Sequence, residues 1–345
     1  MKLGQATIKD IARELNVSFS TVSRALKDYP GISDETKKRV KELAKKLNYR
    51  PNAVALSLRK SKSFTIGVII PEVVHFFFST VISGVEEVAS ANGYNVILCQ
   101  TNENLTREKS SIDTMVSNQI DGLLVSYSKE TTDFGHFTRL MELDYPIVFF
   151  DRLPEIENSV NVTVDDFNGA YQAVKHLIAQ GYKKIAHFAG PKNLAISKKR
   201  KAGYIAALEE SGIQVDQNLI VECPSGTEKE SYEMALALFE NTAIRPDALF
   251  AHHDIVAAGA MMAIKSLGLR IPEDVGVVGY SNWQFSSMID PPLTTVSQPG
   301  SKIGEKATEI LLEMIDGKKD KLNYGQFKNV VLDTELLIRK SSVRI

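Results

Sequence analysis

Apolar residues recur at helical spacing in three short stretches at the start of the chain. Each stretch follows a residue whose side chain can cap a helix, namely Thr7, Ser18 and Ser33. Asp10, three residues after Thr7, completes a capping-box pair and places a carboxylate at the positive end of the first helix. The spacing predicts three helices, the first two joined by a tight turn. Their inward faces are predicted to be Ile8, Ile11, Ala12 and Leu15, then Val22, Ala25 and Leu26, then Val40, Leu43, Ala44 and Leu47.

From Phe64 onward, apolar runs of strand length alternate with longer stretches of helical periodicity. Continuous apolar strands separated by helices indicate parallel sheets that are covered on both faces. The fold class is therefore predicted as an all-α head followed by two doubly wound α/β halves, with a ligand crevice at the carboxyl ends of their strands. The first half has strands at FTIGVII, YNVILCQ, DGLLVS and PIVFFD, and helices near 77–92, 105–118 and 131–143. The second has strands at VNVTV, KIAHFAG, LIVEC, DALFAHH and VGVVGY, and helices near 168–180, 197–212, 228–242 and 254–267.

The net charge of −1 conceals an asymmetry along the chain. Residues 1–62 carry 15 Lys and Arg against 6 Asp and Glu, a balance of +9, whereas the remainder carries −10. A basic head on an acidic body indicates a polyanion-binding module attached to a different kind of domain. Ser20, Arg24 and Lys27 are predicted on the outer face of the second helix, as in a helix-turn-helix that reads the major groove. A generic helical pair with a solvated basic face is the simpler alternative for these twenty residues.

Length and composition favour a cytoplasmic protein without catalytic machinery. The 345-residue chain is 43% hydrophobic, enough for a sizeable core, but it has no apolar run of membrane-span length and no secretion-signal core near its start. Cys99 and Cys223 form neither a disulfide framework nor a metal-binding spacing. Phosphate-binding glycine loops, a nucleophile elbow and paired carboxylates are also missing from the sequence. We therefore expect no enzyme activity, no cofactor, no metal and no membrane partner.

Motifs along nearly the whole chain resemble those of the LacI family of bacterial transcription regulators. In the head these are IKDIA, TVSRAL, ISDETKKRV and YRPNAVALSLR, and in the body IGVIIP, IDGLLVS, HFAGP, RKAGY, RPDALFAHHD, IPEDVGVVGYSN and LTTVSQP. The resemblance implies a headpiece over residues 1–49, a hinge helix and linker over 50–63, and a periplasmic-binding-protein-like core for effector binding and dimerisation over 64–345. It also implies that the chain crosses between the halves about three times. The first half is then expected at about 64–158 plus 293–322, and the second at about 159–292 plus 323–345.

The resemblance also assigns the residues that would contact DNA. Phe19, Ser20 and Arg24 match the family's base-reading positions, and Arg24 could pair with guanine through two hydrogen bonds. Leu58, in a hinge helix that pairs with its twin across a dimer, matches the leucine that enters the minor groove. Leu56 departs from relatives that often carry arginine there. The full predicted set is Thr7, Ser18, Phe19, Ser20, Thr21, Ser23, Arg24, Asn52 and Leu58.

The effector site is assigned in the same way, to residues that follow the predicted strands. Aromatic faces suit the C–H patches of a sugar, and a guanidinium fork can hold two neighbouring hydroxyls. An exposed salt bridge is the alternative for Asp151 and Arg152. His253 departs from a common Asn, and Ser281 from a common Asp that accepts hydroxyl protons; Asp254 is predicted to cap the next helix. The full predicted set is Phe77, Phe78, Asp151, Arg152, Arg200, His253, Ser281 and Gln298. Isolated histidines at 75, 187 and 252 are expected to be packing or surface residues.

These observations predict a ligand-responsive regulator that binds a pseudo-palindromic double-stranded operator as a homodimer, most simply a repressor of carbohydrate-utilisation genes. The effector is expected to be a sugar or sugar derivative. A nucleobase, a sugar phosphate, a phosphoprotein coregulator or no ligand stay open, as does whether the effector loosens or tightens DNA binding. The alternative is a sugar-binding or sensing module of periplasmic-binding-protein type without a DNA role, which the headpiece and the missing secretion signal disfavour.

Overall fold

The structure is a computed structural model that describes residues 6–49, 62–317 and 329–344. The chain divides into two compact units, Met1–Phe64 and Thr65–Ile345, which are described separately below. The hinge helix, Asn52, Leu56 and Leu58 lie outside the described residues. Within the described segments, no helix is long and apolar enough to cross a lipid bilayer.

The first unit contains the three helices that the apolar spacing predicts. They are α1 (Ile8–Glu14), α2 (Phe19–Ala25) and α3 (Asp34–Lys46). The predicted caps are confirmed, since the side chains of Thr7, Ser18 and Ser33 each accept a backbone N–H at the start of their helix. The predicted inward residues all belong to one apolar cluster, in which Ile11, Val22 and other residues are fully buried. Full burial of a valine, leucine or isoleucine in this cluster is worth about 1.5–3 kcal/mol, which offsets the weak intrinsic stability of such short helices.

The second unit alternates strands and helices, as predicted. Its strands are β1 (Thr65–Ile70), β2 (Asn95–Gln100), β3 (Gly122–Val125), β4 (Ile147–Phe150), β5 (Val160–Val164), β6 (Ile185–Ala189), β7 (Ile220–Glu222), β8 (Ala248–Ala251), β9 (Gly276–Tyr280), β10 (Thr294–Ser297), β11 (Asn329–Leu332) and β12 (Glu335–Leu337). Its helices are α4 (Phe76–Ala91), α5 (Leu105–Ser117), α6 (Gly135–Met141), α7 (Asp166–Ala179), α8 (Ala195–Glu210), α9 (Glu228–Glu240), α10 (Asp254–Ser266) and α11 (Gly300–Gly317).

Two sheets organise these elements, each with six strands among the described residues. The first has the order β11-β5-β4-β3-β1-β2, and the second has the order β12-β10-β9-β8-β6-β7. Neighbouring strands run parallel except for β10 and β12, which pair antiparallel. Helices pack on both faces of each sheet and close separate apolar cores. The predicted fold class of two doubly wound halves is confirmed.

Three predicted strand placements were wrong. Residues 160–164 were assigned to the second half, but β5 pairs with β4 and β11 in the first sheet. The segment from 293 was assigned to the first half, but β10 stays in the second sheet beside β9. Residues 323–345 were assigned to the second half, but their stretch VVLDTELLI forms two strands, β11 in the first sheet and β12 in the second. These strands are short and apolar, and sheet membership is decided by distant partners, so local spacing carried no signal for it.

The chain passes between the two halves at three places in its described part: after β5, after β10, and between β11 and β12. Helix α11 returns to the first half and packs along α4, where a Cβ at Gly84 would overlap the carbonyl oxygen of Ser301. The absence of a side chain at Gly84 therefore permits close contact between the two backbones. The crossings bring the carboxyl ends of both sheets to face one another.

Candidate functional site

Helix α2 presents a polar and aromatic outer face. Val22 and Ala25 are fully buried, whereas the Phe19 side chain is 64% exposed, an unusual position for a large aromatic ring. Arg24 is also exposed, and its guanidinium lies 5.5 Å from the centroid of the Tyr29 ring. Ser20 shares this outer face. The predicted base-reading residues thus lie together on one accessible side of the second helix.

The remaining headpiece candidates lie at the starts of helices or beside this face. Thr7 is exposed and forms the predicted capping box with Asp10. The Ser18 hydroxyl accepts the Thr21 amide N–H at 3.0 Å, and Thr21 and Ser23 are half-buried. Helix N-termini of this kind offer N–H groups and hydroxyls to a phosphate.

A cavity of about 130 Å³ lies between the two halves of the second unit. Its walls come from the segments that follow β1, β2, β3 and β4 on one side, and β6, β7, β8, β9 and β10 on the other. This is the crevice that the alternation of strands and helices predicts. All eight effector candidates line it: Phe77, Phe78, Asp151, Arg152, Arg200, His253, Ser281 and Gln298.

Arg200 is held rigidly at the cavity wall. It lies on α8, is 4% exposed, and donates from Nε to Asp166 at 2.8 Å and from Nη1 to the His252 carbonyl oxygen at 2.6 Å. Its guanidinium stacks 3.7 Å from the centroid of the Tyr280 ring. Nη2 has no partner among the described residues, so this nitrogen is the one that can donate to a ligand.

Arg152 is occupied differently from the prediction. Its Nη1 and Nη2 donate to the two carboxylate oxygens of Glu103 at 2.9 and 2.7 Å, and Nη1 also donates to the Tyr127 carbonyl oxygen. Burial alone would raise the pKa of Glu103, but its hydrogen bonds and charge attraction to Arg152 outweigh burial and lower that pKa. The fork predicted to hold two ligand hydroxyls is therefore already closed by a protein carboxylate.

Asp151, by contrast, offers a free carboxylate. It follows β4 with a backbone φ of 63°, a left-handed conformation that Asp tolerates better than most residues. Its residue exposure is 9%, and its side chain has no hydrogen-bond partner among the described residues. Burial raises the pKa of Asp151 to about 6. An unpartnered buried acceptor at a cavity wall is a candidate ligand contact.

The predicted cap of α10 was wrong. His253, not Asp254, caps the helix, since its side chain accepts the Val256 amide N–H. Asp254 accepts the Thr295 hydroxyl at 2.6 Å and the Trp283 amide N–H at 2.7 Å, and burial raises its pKa to about 7. Its carboxylate is therefore used to hold the loop after β9 against the cavity.

The loop after β9 contains Ser281, where the family commonly has Asp. The Ser281 hydroxyl donates to Gln298 at 2.7 Å, which joins two of the predicted residues to each other. Ser281 and Asn282 both have positive φ, at 92° and 46°. Backbone strain of this kind costs on the order of 1–3 kcal/mol per residue and is common where a loop must present groups to a ligand.

Aromatic rings form the apolar part of the cavity. Phe77 and Phe78 pack edge to face with centroids 5.3 Å apart, and His75 meets Trp283 in the same manner at 5.3 Å. Phe77 and Phe78 are buried in the first-half core, so they contribute both to packing and to the cavity wall. Ring faces and edges of this kind suit the C–H groups of a sugar or the face of a heterocycle.

Several cavity residues were missed by the sequence reasoning. His252 was expected to be a packing or surface residue, yet it lines the cavity, as does His75 at the start of the HFFF run. Glu103 and Lys129 follow β2 and β3 and gave no motif signal. Other lining residues that the sequence reasoning did not assign are Ser197, Pro224, Ser225, Gly226 and Trp283. Only their position just after predicted strands could have indicated from the sequence that they line the cavity.

The charges at the cavity are nearly balanced. Arg152 is paired with Glu103 and Arg200 with Asp166, which leaves Lys129 and Asp151 as the remaining cation and carboxylate among the described lining residues. Among the described residues there is also no cluster of histidine, cysteine and acidic side chains suited to a metal ion. Since buried charges require compensation, a neutral polar ligand matches this cavity better than a phosphate ester.

Two protein-family descriptions match the chain. "Bacterial regulatory proteins, lacI family" matches residues 7–52, and "Periplasmic binding proteins and sugar binding domain of LacI family" matches residues 63–329. The HTH-type transcriptional repressor PurR of Vibrio atlanticus (strain LGP32) is 36% identical over 313 residues, covering 91% of this chain and 93% of that protein. The HTH-type transcriptional repressor CytR of Escherichia coli (strain K12) is 34% identical over 337 residues, covering 98% of this chain and 96% of that protein.

Solved structures of transcription regulators also match the chain. A lac repressor dimer bound to operator and the anti-inducer ONPF matches with a TM-score of 0.86 and 26% identity, covering 99% of this chain and 100% of that one. A complex of the transcriptional regulator CelR with cellobiose matches with a TM-score of 0.73 and 26% identity, covering 97% of this chain and 99% of that one.

Proposed function

The chain belongs to the LacI family of bacterial regulatory proteins, and we propose that its effector is a neutral sugar or sugar derivative. It is a ligand-responsive transcriptional repressor that binds operator DNA as a dimer. The observation that carries the effector proposal is the charge-balanced, partly aromatic cavity around which the eight predicted residues meet. CelR, a structural relative, forms a complex with cellobiose, which supports a carbohydrate.

The regulated genes are proposed to serve carbohydrate utilisation. A repressor whose cavity accepts a neutral sugar responds to the compound that such genes consume. Bacterial DNA lies in the cytoplasm, so we expect the protein to act there. We expect no catalytic activity, since its relatives are transcriptional repressors and the cavity groups are engaged in binding and support.

The ligand can change DNA binding if its affinity differs between two arrangements of the two halves. A ligand that binds one arrangement of the two halves more tightly shifts the population towards it, by no more than that difference in affinity. A coupling of 1–3 kcal/mol, typical of allosteric proteins, corresponds to roughly 5- to 150-fold in operator affinity. The direction, induction or co-repression, is set by which arrangement the ligand prefers.

DNA binding by the headpiece is tested by selecting operators from a random duplex library and measuring affinity against salt. Each phosphate contact contributes about −0.9 to the slope of log K against log salt concentration. We expect a pseudo-palindromic consensus and a steep salt dependence, because the dimer presents two basic heads. A flat salt response with no enriched sequence would refute the role of the headpiece.

Arg24 supplies the residue-level test. Arg24→Ala should reduce discrimination at one operator position by about 1–3 kcal/mol while leaving affinity for random DNA nearly unchanged. Lys9→Ala, an exposed lysine on α1, is the charge-matched control and should leave the base preference intact. Unchanged preference in the Arg24 variant would show that this arginine does not read bases.

A further inference from the structure

Glu103 engages both terminal nitrogens of Arg152, which leaves only Nε of that side chain without a partner, so ligand hydroxyls need further groups in the cavity. Both terminal nitrogens of Arg152 are bound by Glu103, and Arg200 has only Nη2 left to donate. The second-half wall of the cavity carries two adjacent imidazoles, His252 and His253, with ring centroids 4.2 Å apart. Their hydrogen bonds to the backbone determine which nitrogen of each ring carries a proton.

His252 presents an acceptor to the cavity. Its Nδ1 lies 3.2 Å from the carbonyl oxygen of Phe188, which can only accept, so Nδ1 carries the proton. Burial holds the pKa of His252 well below its usual value, and the ring is neutral. Nε2 is therefore an unprotonated acceptor.

His253 presents a donor. Its Nδ1 accepts the Val256 amide N–H at 3.3 Å as the cap of α10, so Nδ1 is unprotonated. Burial, with smaller repulsion from His75 and Arg200, outweighs a hydrogen bond to the backbone of His253 and lowers the pKa of His253 to about 3, so this ring is also neutral. Its single proton is then on Nε2, which can donate.

The two Nε2 atoms converge on one point of the cavity wall. A Cβ placed on Gly226 would lie 2.9 Å from Nε2 of His253 and 3.7 Å from Nε2 of His252. Gly226 has a φ of +67°, a conformation that favours glycine, and the absence of a side chain lets its backbone lie close to both rings. Neither Nε2 has a hydrogen-bond partner among the described residues. A donor and an acceptor of fixed polarity are thus side by side and unused.

We propose that His252 and His253 form a directional pair that reads a vicinal diol, one hydroxyl donating to Nε2 of His252 and its neighbour accepting from Nε2 of His253. The inference rests on the proposed neutral-sugar effector and deepens it. A vicinal diol matches because its two oxygens are adjacent and each can take either role, while an anion would face the unprotonated Nε2 of His252 as well. Free sugars and the ribose of nucleosides both contain this group.

The test uses variants that remove only the cavity-facing nitrogen. In His253→Asn the amide oxygen can still accept the Val256 N–H, and Asn is among the best helix caps. In His252→Asn the amide nitrogen can still donate to the Phe188 carbonyl oxygen. His176→Asn is the matched control, because His176 is half-buried on α7, outside the cavity, and bonds to Ser342. Circular dichroism and thermal unfolding establish that each variant is folded.

Calorimetric titration of the full chain then uses three sets of probes. Neutral aldoses and cellobiose form the first, adenosine and cytidine the second, and glucose 6-phosphate and ribose 5-phosphate the third. For each probe that binds, the analogue lacking one hydroxyl of the diol is titrated too. The His252→Asn and His253→Asn variants should each bind the parent compound about tenfold more weakly, the effect of one neutral hydrogen bond. The His176→Asn control should bind it as the wild type does.

The deciding readout is the thermodynamic cycle between side chain and hydroxyl. If the pair reads the diol, the deoxy analogue binds the wild type about tenfold more weakly, and the histidine variant adds no further loss. Binding of aldoses identifies a free sugar as the ligand that carries the diol, and binding of nucleosides alone identifies a nucleoside. Either result supports the proposal that the two histidines read a diol. Additive losses, binding by the phosphate esters alone, or no binding across the neutral probes would overturn it. Operator binding is measured on the same preparations, so failure of the pair is distinguishable from failure of the repressor assignment.

Discussion

Asp151 is predicted to cost the protein stability at neutral pH. Burial raises its pKa from 3.8 to about 6, so the folded state holds a proton at pH values where the unfolded chain has released it. Between these two values the free energy of unfolding falls as the pH rises, because the folded state binds more protons. A difference of roughly two pH units at 1.36 kcal/mol each gives a penalty of about 3 kcal/mol well above pH 6. Below the unfolded pKa the penalty vanishes.

Asp151→Asn should therefore stabilise the protein at pH 8 by about 3 kcal/mol, and at pH 5 by about half of that. Asparagine is nearly isosteric and also tolerates the left-handed backbone, so no new strain is introduced. Urea unfolding of the full chain at both pH values measures the gain, which corresponds to roughly 6–12 °C in melting temperature. Asp113→Asn, an exposed carboxylate on α5, is the matched control and should change stability by less than about 0.5 kcal/mol at either pH.

Two results would refute this reasoning. No gain at pH 8 would mean that the Asp151 carboxylate is compensated in the folded state, and an equal gain at both pH values would mean that its ionisation is not the cause. The same variant should bind the proposed neutral effector more weakly, since an amide oxygen accepts less strongly than a carboxylate. A protein that gains stability on losing an acceptor at its cavity is showing a functional cost at that position.

Three further variants probe the groups that support the cavity and the head. Arg200→Ala leaves the Asp166 carboxylate buried without its partner and should lower the free energy of unfolding by about 3–5 kcal/mol; adding Asp166→Asn should recover much of this in urea unfolding without restoring effector binding. Glu103→Gln removes the charge that balances Arg152, so calorimetry should show weaker binding of the neutral sugar and new affinity for its phosphate ester. Thr7→Ala removes a helix cap and should cost about 1 kcal/mol, measured as faster amide exchange in the head, with core exchange unchanged.

The elements themselves were predictable because their signals are local. Helix periodicity, cap residues and apolar strands are properties of a few consecutive residues, and they gave the three head helices, the alternation in the body and the crevice at the strand ends. The sheet to which a strand belongs, however, depends on pairing partners that are distant in the sequence. Val160–Val164 is buried throughout, so its pattern is the same in either sheet, and its partner β11 lies more than 160 residues away.

Part of the candidate site was likewise predictable from the sequence, and part was not. Resemblance to a family placed eight residues, and the structure brings them around one cavity. It could not show that Glu103 closes the Arg152 fork, because that carboxylate follows a different strand, 49 residues earlier in the chain. Nor could it show the orientation of His252, which depends on a carbonyl oxygen of a neighbouring strand.

The misassigned helix cap is the most informative of these differences. By local preference Asp254 is the better cap, but its carboxylate is buried and holds Thr295 and the Trp283 amide, on the loop that carries Ser281. The cap therefore falls to His253, and capping takes the Nδ1 lone pair, which leaves the proton on Nε2 facing the cavity. If His253 reads a ligand hydroxyl as proposed, the bond that starts α10 also decides the polarity of a group that contacts the ligand. The local preference for an Asp cap is overridden here because the Asp254 carboxylate supports a strained loop, a requirement that local sequence does not show.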